Sequence, residues 1–188
     1  MYNLHHSEGI LLSTSDFGEA DRVYAIFTKG FGKIEARAIG VRLEKSKLRG
    51  HLNLFSLVRL SFIEGKEQLR LTDAEELIRP ALHENNFYHF GRMSALIERL
   101  IRGQEKDEGL WQLIFSAWQY MSSAQAASDT FDLLFEARLL HRLGYVSPDQ
   151  GEGQEMITGN HWLDISYQPQ EAEQLKKICH EGLIASQL

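Results

Sequence analysis

The sequence predicts an α+β fold in which a small closed β-barrel is followed by an all-helical domain. In residues 1–79, apolar residues recur at alternate positions, the period of strands with one buried face. In residues 80–188 they recur at steps of three and four, the period of amphipathic helices. Ten Phe, six Tyr and three Trp supply the bulk for a well-filled core. We therefore expect two domains, divided near residue 80.

Five strand-like runs, with no helical pattern between them, account for the first domain. They are residues 8–14, 22–28, 33–40, 52–63 and 68–72. In the third run, Ile34, Ala36 and Ala38 should face the interior. The two glycines of KGFGK, between the second and third runs, suit a tight hairpin turn. A closed barrel is the expected arrangement of these strands, because closure leaves no exposed edge.

The second domain begins with three helical segments. Their apolar positions run from Phe87 to Ile101, from Leu110 to Met121 and from Phe131 to Leu143. The third segment is apolar on more than one side, so we expect that helix to be the most buried one.

Local residue types set the ends of the third helix. Ser128 is placed as its N-cap, and Gly144 should follow its C-terminus, with Tyr145 contacting Leu140 as in a Schellman motif.

The remainder of the second domain contains a loop and one more helix. Residues 147–160 are polar, acidic and glycine-rich and predict a loop, and residues 161–167 predict a short strand. Pro169 should open a last helix that ends at about His180.

Composition excludes several functional classes. No run approaches the roughly 18 apolar residues of a membrane span, and no secretion signal begins the chain, so we expect a cytoplasmic protein with no membrane association. The single cysteine, Cys179, excludes an internal disulfide and every multi-cysteine zinc site.

Charge is distributed unevenly along the chain. The net charge is −6, but between Lys29 and Arg49 there are seven basic residues and only two acidic ones, Glu35 and Glu44. A local positive surface can attract a polyanion even on an acidic protein. The alternative is that this segment is a solvated charged loop without a ligand.

An ordered series of segments resembles the RecO family of recombination mediators. The series is EGILLSTSDFGEADRVYAIFTKGFGKIEARAIGVR, KSKLRGHLNLFSLVRL and LTDAEEL, followed by LLFEARLLHRLGY in the third helix. The similarity covers roughly residues 4–148. It implies an N-terminal OB-fold barrel, a C-terminal helical domain and no enzymatic activity.

The resemblance also implies partners. RecO proteins bind single- and double-stranded DNA, anneal strands coated by single-strand-binding protein (SSB), and help RecR to load RecA. A nucleoid-associated location follows from this. Many members carry a four-cysteine zinc site after the Leu-Gly-Tyr helix, where this chain has a cysteine-free loop. We therefore expect neither zinc nor any other cofactor.

The basic segment between the third and fourth strands is the predicted DNA-binding site. Rim loops of OB barrels bind oligonucleotides, and cations at near-alternate positions can follow a phosphate backbone without reading bases. A hairpin tip could also expose an aromatic ring for stacking on a base. The predicted contacts are Arg37, Arg42, Lys45, Lys47, Arg49, Lys33 and, as the stacking ring, Phe31.

A second predicted site lies on the third helix. Arg138, His141 and Arg142 share one face by their spacing, which could bind an acidic, apolar peptide such as the SSB tail. The alternative is that these cations complement the helix dipole.

Two other functional classes remain open. An OB-plus-helical adaptor with little DNA binding is suggested by the acidic second half of the chain. A small hydrolase would need a pocket of convergent polar groups. Asp16-Phe17-Gly18 matches a kinase metal motif, but none of the other kinase motifs accompanies it, so we interpret it as a turn.

Overall fold

The computed structural model describes residues 3–81, 84–123, 128–147, 156–159, 162 and 169–187. By spatial proximity the chain divides into two units. The barrel unit comprises Met1–Pro80 and Ile101–Trp111, and the helical unit comprises Ala81–Leu100 and Gln112–Leu188. The division into folding domains at residues 79 and 80 stays a prediction.

Five strands form the barrel unit. They are β1 (Leu4–Phe17), β2 (Asp21–Thr28), β3 (Gly32–Ala38), β4 (Leu57–Glu64) and β5 (Leu69–Ile78). They close in the order β1-β2-β3-β5-β4, with β4 pairing back onto β1. All pairs are antiparallel except the short parallel contact between β3 and β5. The predicted OB-fold barrel followed by helices is confirmed.

Several strand ends differ from the predicted ones. β1 runs from Leu4 to Phe17 rather than over residues 8–14, and β3 ends at Ala38 rather than at residue 40. β4 begins at Leu57 rather than Leu52, although Leu52 and Phe55 are both buried. Phe55 has φ +65°, a left-handed conformation that interrupts an extended strand. β5 continues to Ile78 because it pairs along the whole of β4.

Alternation along β3 fills the barrel as predicted. Ile34, Ala36 and Ala38 are at most 1% exposed and belong to one apolar cluster with side chains of all the other strands. Outside the barrel, the ring of Trp111 stacks on Phe27 at a centroid distance of 6.2 Å. The segment that follows α1 therefore belongs to the packing of the barrel.

The helices are α1 (Glu84–Leu100), α2 (Glu108–Ser122), α3 (Asp129–Arg142) and α4 (Pro169–Ala185). Thus α4 runs about five residues further than predicted. None of the described helices is long and apolar enough to cross a membrane. The predicted 147–160 loop and 161–167 strand lie mostly outside the described residues. Of the few positions in these two segments that are described, residues 156–158 form a helical turn. The absence of zinc there stays a prediction.

The predicted ends of α3 are confirmed. The side chain of Ser128 accepts a hydrogen bond from the Phe131 amide. Gly144 has φ +82°, and its amide donates to the carbonyl of His141 at 3.0 Å. The Tyr145 amide donates to the Leu140 carbonyl at 2.9 Å, which completes a Schellman ending.

Packing between α3 and α4 leaves little free space. Gly182 has room only for hydrogen, because an added Cβ would lie 2.6 Å from a methyl of Val146. The Cys179 thiol donates to the Leu133 carbonyl at 3.4 Å, and burial raises its pKa to about 12.

We predict that Gly32→Ala destabilises the protein more than Gly18→Ala does. Both glycines have positive φ, so alanine should cost about 1–2 kcal/mol at either position. Only at Gly32 would the new Cβ collide with the backbone of Glu105, which adds about 1–3 kcal/mol. Urea unfolding followed by circular dichroism measures both. Equal losses of stability would show that the Glu105 segment does not pack on β3 as described.

Candidate nucleic-acid interface

The connection between β3 and β4, residues 39–56, carries most of the predicted DNA contacts, and we call it the basic loop. Its start is held by the buried carboxylate of Asp21. One oxygen accepts a hydrogen bond from the Gly40 amide at 2.7 Å, and the other accepts one from Nε of Arg37 at 2.7 Å. These donors hold the pKa of Asp21 below its ordinary value of 3.8. The loop therefore leaves the barrel from a fixed position.

The other end of the basic loop is held by Glu76 on β5. This carboxylate accepts hydrogen bonds from the Ser56 hydroxyl at 2.6 Å and from Nδ2 of Asn53 at 3.0 Å. Arg79 donates to both of its oxygens. The Arg79 guanidinium is the main reason that the pKa of Glu76 lies below its usual value.

Arg42 ties the basic loop to the turn between β1 and β2. Its Nη1 donates to the carbonyl of Gly18 at 3.2 Å and lies 3.4 Å from the Asp16 carboxylate. Asp16 also accepts from Nε of Arg22 at 2.9 Å, and these contacts lower its pKa. Arg37 and Arg42 are thus both ion-paired, so less of their charge is available to a phosphate than the sequence indicated.

The middle of the basic loop holds three exposed cations, Lys45, Lys47 and Arg49. Within the described part of the chain, none of the three takes part in an ion pair. Glu44 beside them is also exposed. Lys33, on β3, is half-buried. The loop's excess of positive charge therefore lies at these three side chains.

Phe31 does not stand free at the hairpin tip. Its ring is half-buried and packs against the apolar core of the barrel. It meets Phe62 edge to face at 5.1 Å and His5 at 5.2 Å. Phe31 is therefore less exposed than expected, because its ring packs on the core of the barrel. Its predicted role in base stacking stays a prediction.

A basic pocket on the barrel was not predicted. It is a cavity of about 340 Å³ lined mainly by the end of β3 and by the turn between β4 and β5. Its lining includes three cations, Arg37, Lys66 and Arg70, and one carboxylate, Glu67. The parallel register places Arg37 beside Arg70 across more than 30 residues of sequence, so no local pattern could have revealed the cluster.

The predicted peptide-binding face of α3 is not formed as expected. Arg138 is only 4% exposed; its Nε donates to the Met156 carbonyl at 2.9 Å, and its guanidinium lies 4.5 Å from the ring centroid of Trp162. His141 donates from Nδ1 to the Val146 carbonyl at 3.0 Å. Only Arg142 is exposed. The three side chains therefore do not present one cationic surface.

A cavity between α1 and α3 is the better candidate for a peptide. It measures about 240 Å³, and its apolar lining includes Met93, Leu96 and Phe135. Arg92 and Arg99 are the exposed cations of its lining.

Two acidic side chains line the same cavity. Asp132 lies 3.0 Å from Nη1 of Arg92 and 2.9 Å from Nδ1 of His89. Burial is the largest influence on Asp132 and on Glu136, and it raises the pKa of both carboxyls. Burial therefore disfavours the charged form of the two acids.

Comparison with known proteins assigns the chain to a family. The family described as "Recombination protein O N terminal" matches residues 1–80, and "Recombination protein O C terminal" matches residues 85–148. The chain belongs to the RecO family. The predicted family is thereby confirmed.

Relatives named "DNA repair protein RecO" extend this match. The protein of Heliobacterium modesticaldum is 31% identical over 195 residues, which cover 97% of this chain and 70% of that protein. The protein of Geobacter sulfurreducens is 29% identical, with 73% of this chain and 58% of that protein covered. The protein of Halalkalibacterium halodurans is 25% identical, with 72% of this chain and 54% of that protein covered.

We predict that Asp21→Asn destabilises this RecO chain at pH 7. The difference in free energy of unfolding between this variant and the wild type should become smaller in acid. Folding lowers the pKa of Asp21, so its ionised form stabilises the fold in full above 3.8. That contribution is lost as the pH falls from 3.8 through the lower pKa of the folded state.

Urea unfolding over a pH series measures this difference. Asp73→Asn is the matched control, because Asp73 is exposed on β5 and forms no ion pair with any described residue. A difference in free energy of unfolding between the wild type and Asp21→Asn that stays the same at every pH would contradict the anchoring role of the Asp21 charge.

Proposed function

We propose that this RecO chain binds single- and double-stranded DNA without sequence specificity through its OB-fold barrel. It anneals complementary strands and, with RecR, assists the loading of RecA. The mechanism is electrostatic capture and alignment of phosphate backbones, with no covalent step. SSB-coated strands are its substrate.

The observation that carries this proposal is the exposure of Lys45, Lys47 and Arg49 on a loop held at both ends. Cations that contact phosphates release condensed counterions, which supplies affinity that does not depend on base sequence. The anchors at Asp21 and Glu76 limit the loop's freedom before DNA binds, so less entropy is lost on binding.

We predict that replacing Lys45, Lys47 and Arg49 with Ala weakens DNA binding and its dependence on salt. Each lost phosphate contact should reduce the log–log salt slope by about 0.7 for a single strand, so three contacts remove about 2 from the slope. Fluorescence anisotropy of a labelled oligonucleotide at several salt concentrations measures affinity and slope together.

The control for this variant replaces Arg142, Lys176 and Lys177, three exposed cations of the helical unit. It has the same net charge, so it separates a local contact from a general electrostatic effect. Equal loss in both variants would contradict a DNA site on the basic loop. Wild-type protein that binds no DNA at low salt would favour the adaptor alternative.

A second candidate function, binding of the SSB tail, is supported by the cavity between α1 and α3. An acidic peptide with an apolar end needs an apolar floor beside cations. The cavity offers Leu96 and Phe135 together with Arg92 and Arg99. Arg92 and Arg99 both act electrostatically on the Glu136 carboxyl, so these cations partly compensate the acid beside such a peptide.

We predict that Arg99→Glu weakens binding of a labelled SSB tail peptide and that Arg142→Glu does not. A hydrogen bond to a charged group contributes about 1.5–3 kcal/mol, so loss of the Arg99 contact should cost about tenfold in affinity or more. Both residues are exposed arginines of the helical unit, which makes them a matched pair. A larger loss of peptide affinity in Arg142→Glu than in Arg99→Glu would place the peptide site at the exposed end of α3 instead.

A further inference from the structure

An exposed aromatic ring lies at the end of β1, where the sequence indicated only a turn. Phe17 is 46% exposed, and it pairs in register with Asp21 at the start of β2. The guanidinium carbon of Arg37 lies 4.1 Å from the centroid of the Phe17 ring. The ring is thus supported by a cation and remains open to solvent.

Arg37 itself is fixed in place. Asp21 accepts a hydrogen bond from its Nε at 2.7 Å and lies at ion-pair distance from its Nη2. The side chain of Asp21 is 11% exposed and also holds the Gly40 amide. The Phe17–Arg37 stack therefore rests on a buried acceptor and is arranged before any ligand arrives.

The same arginine connects the ring with the basic pocket. Arg37 lines that pocket together with Lys66 and Arg70, so an apolar ring and a cationic concavity share one side chain. A nucleic acid strand presents these two chemistries side by side, a flat base and an anionic phosphate. Because Arg37 is already paired with Asp21, the cations of the lining that remain for a phosphate are Lys66 and Arg70, against the single carboxylate of Glu67.

Two acidic side chains close to Phe17 in the chain are already ion-paired, while Glu19 in the same turn is exposed. Asp16 is shared by Arg22 and Arg42, and Asp21 is held by Arg37. Their charges are compensated within the barrel, so they oppose an approaching phosphate less than free carboxylates would.

We propose that Phe17 is a base-stacking platform that gives this face a preference for single strands, with the adjoining phosphate held by the basic pocket. The inference rests on the proposed DNA binding and adds a specific subsite to it. In a duplex the bases stack on one another, so a surface ring meets no free base face. An unpaired strand can offer one.

The test compares single-stranded and duplex oligonucleotides of the same length on the full chain. Phe17→Ala should lower affinity for the single strand by about 5- to 150-fold, the range for loss of one stacked base, and leave duplex affinity unchanged. Ile78→Ala is the matched control, because Ile78 is a similarly exposed apolar residue of the barrel, 49% against 46%. It should change neither affinity.

A second variant reports stacking directly. Phe17→Trp should keep single-strand affinity, and the fluorescence of the added indole should be quenched by the single strand and not by the duplex. The wild type, with its three native Trp, supplies the background signal. This readout stands even if Phe17→Ala fails to fold.

The outcomes separate this inference from the proposed function. Equal loss of single-strand and duplex affinity in Phe17→Ala would mean that the ring only supports Arg37, and no loss would mean that it takes no part. Either result, or an unquenched Phe17→Trp, overturns the stacking platform while DNA binding stands. Absence of binding by the wild type overturns both.

Discussion

The rest of the barrel unit depends on the double pairing of β1. The first half of this strand pairs with β4, and the second half pairs with β2. A bulge between Leu11 and Ser13 lies where β1 passes from one partner to the other, and bulges increase strand bending. At this bulge the Leu11 amide donates to the Ser56 carbonyl and the Leu11 carbonyl accepts from the Phe55 amide. Barrel closure and the position of the C-terminal end of the basic loop therefore depend on the same few backbone groups.

The pairing of arginines with carboxylates in the barrel unit explains how a protein of net charge −6 can present a cationic face. Three carboxylates near the loop, Asp16, Asp21 and Glu76, accept hydrogen bonds from arginines and have lowered pKa values, so they stay ionised at neutral pH. They compensate the cations nearest the barrel wall and fix the backbone there. The cations in the middle of the loop form no ion pair with any described residue, so their positive charge can still attract a polyanion. The acidic residues close to the site thus position the cationic loop.

The sequence sufficed for features that depend on local pattern. Alternation identified the inward face of β3, and residue type identified both ends of α3. It could not locate contacts that depend on distant register. Arg70 reaches Arg37 only through the parallel β3–β5 contact, and Arg138 is buried because Trp162, 24 positions later, covers its guanidinium. The start of β4 was missed because an aromatic residue, Phe55, adopts the left-handed conformation that glycine normally supplies. Phe17 was interpreted as part of a turn, since nothing in its neighbours signals that its ring stays exposed.

Charge on the basic loop cannot by itself favour an unpaired strand. Duplex DNA has the higher charge density, and each neutralised phosphate contributes a salt slope of about −0.9 on a duplex against about −0.7 on a single strand. A purely cationic surface therefore gains more from the duplex. Annealing, however, begins with two separated strands and ends with a duplex that must be released. A stacked base worth about 1–3 kcal/mol, available only before pairing, is large enough to reverse that order. The Phe17 ring beside the basic pocket would then hold the unpaired strand and lose its contact with the base when the duplex forms. Release of the duplex would follow from base pairing itself.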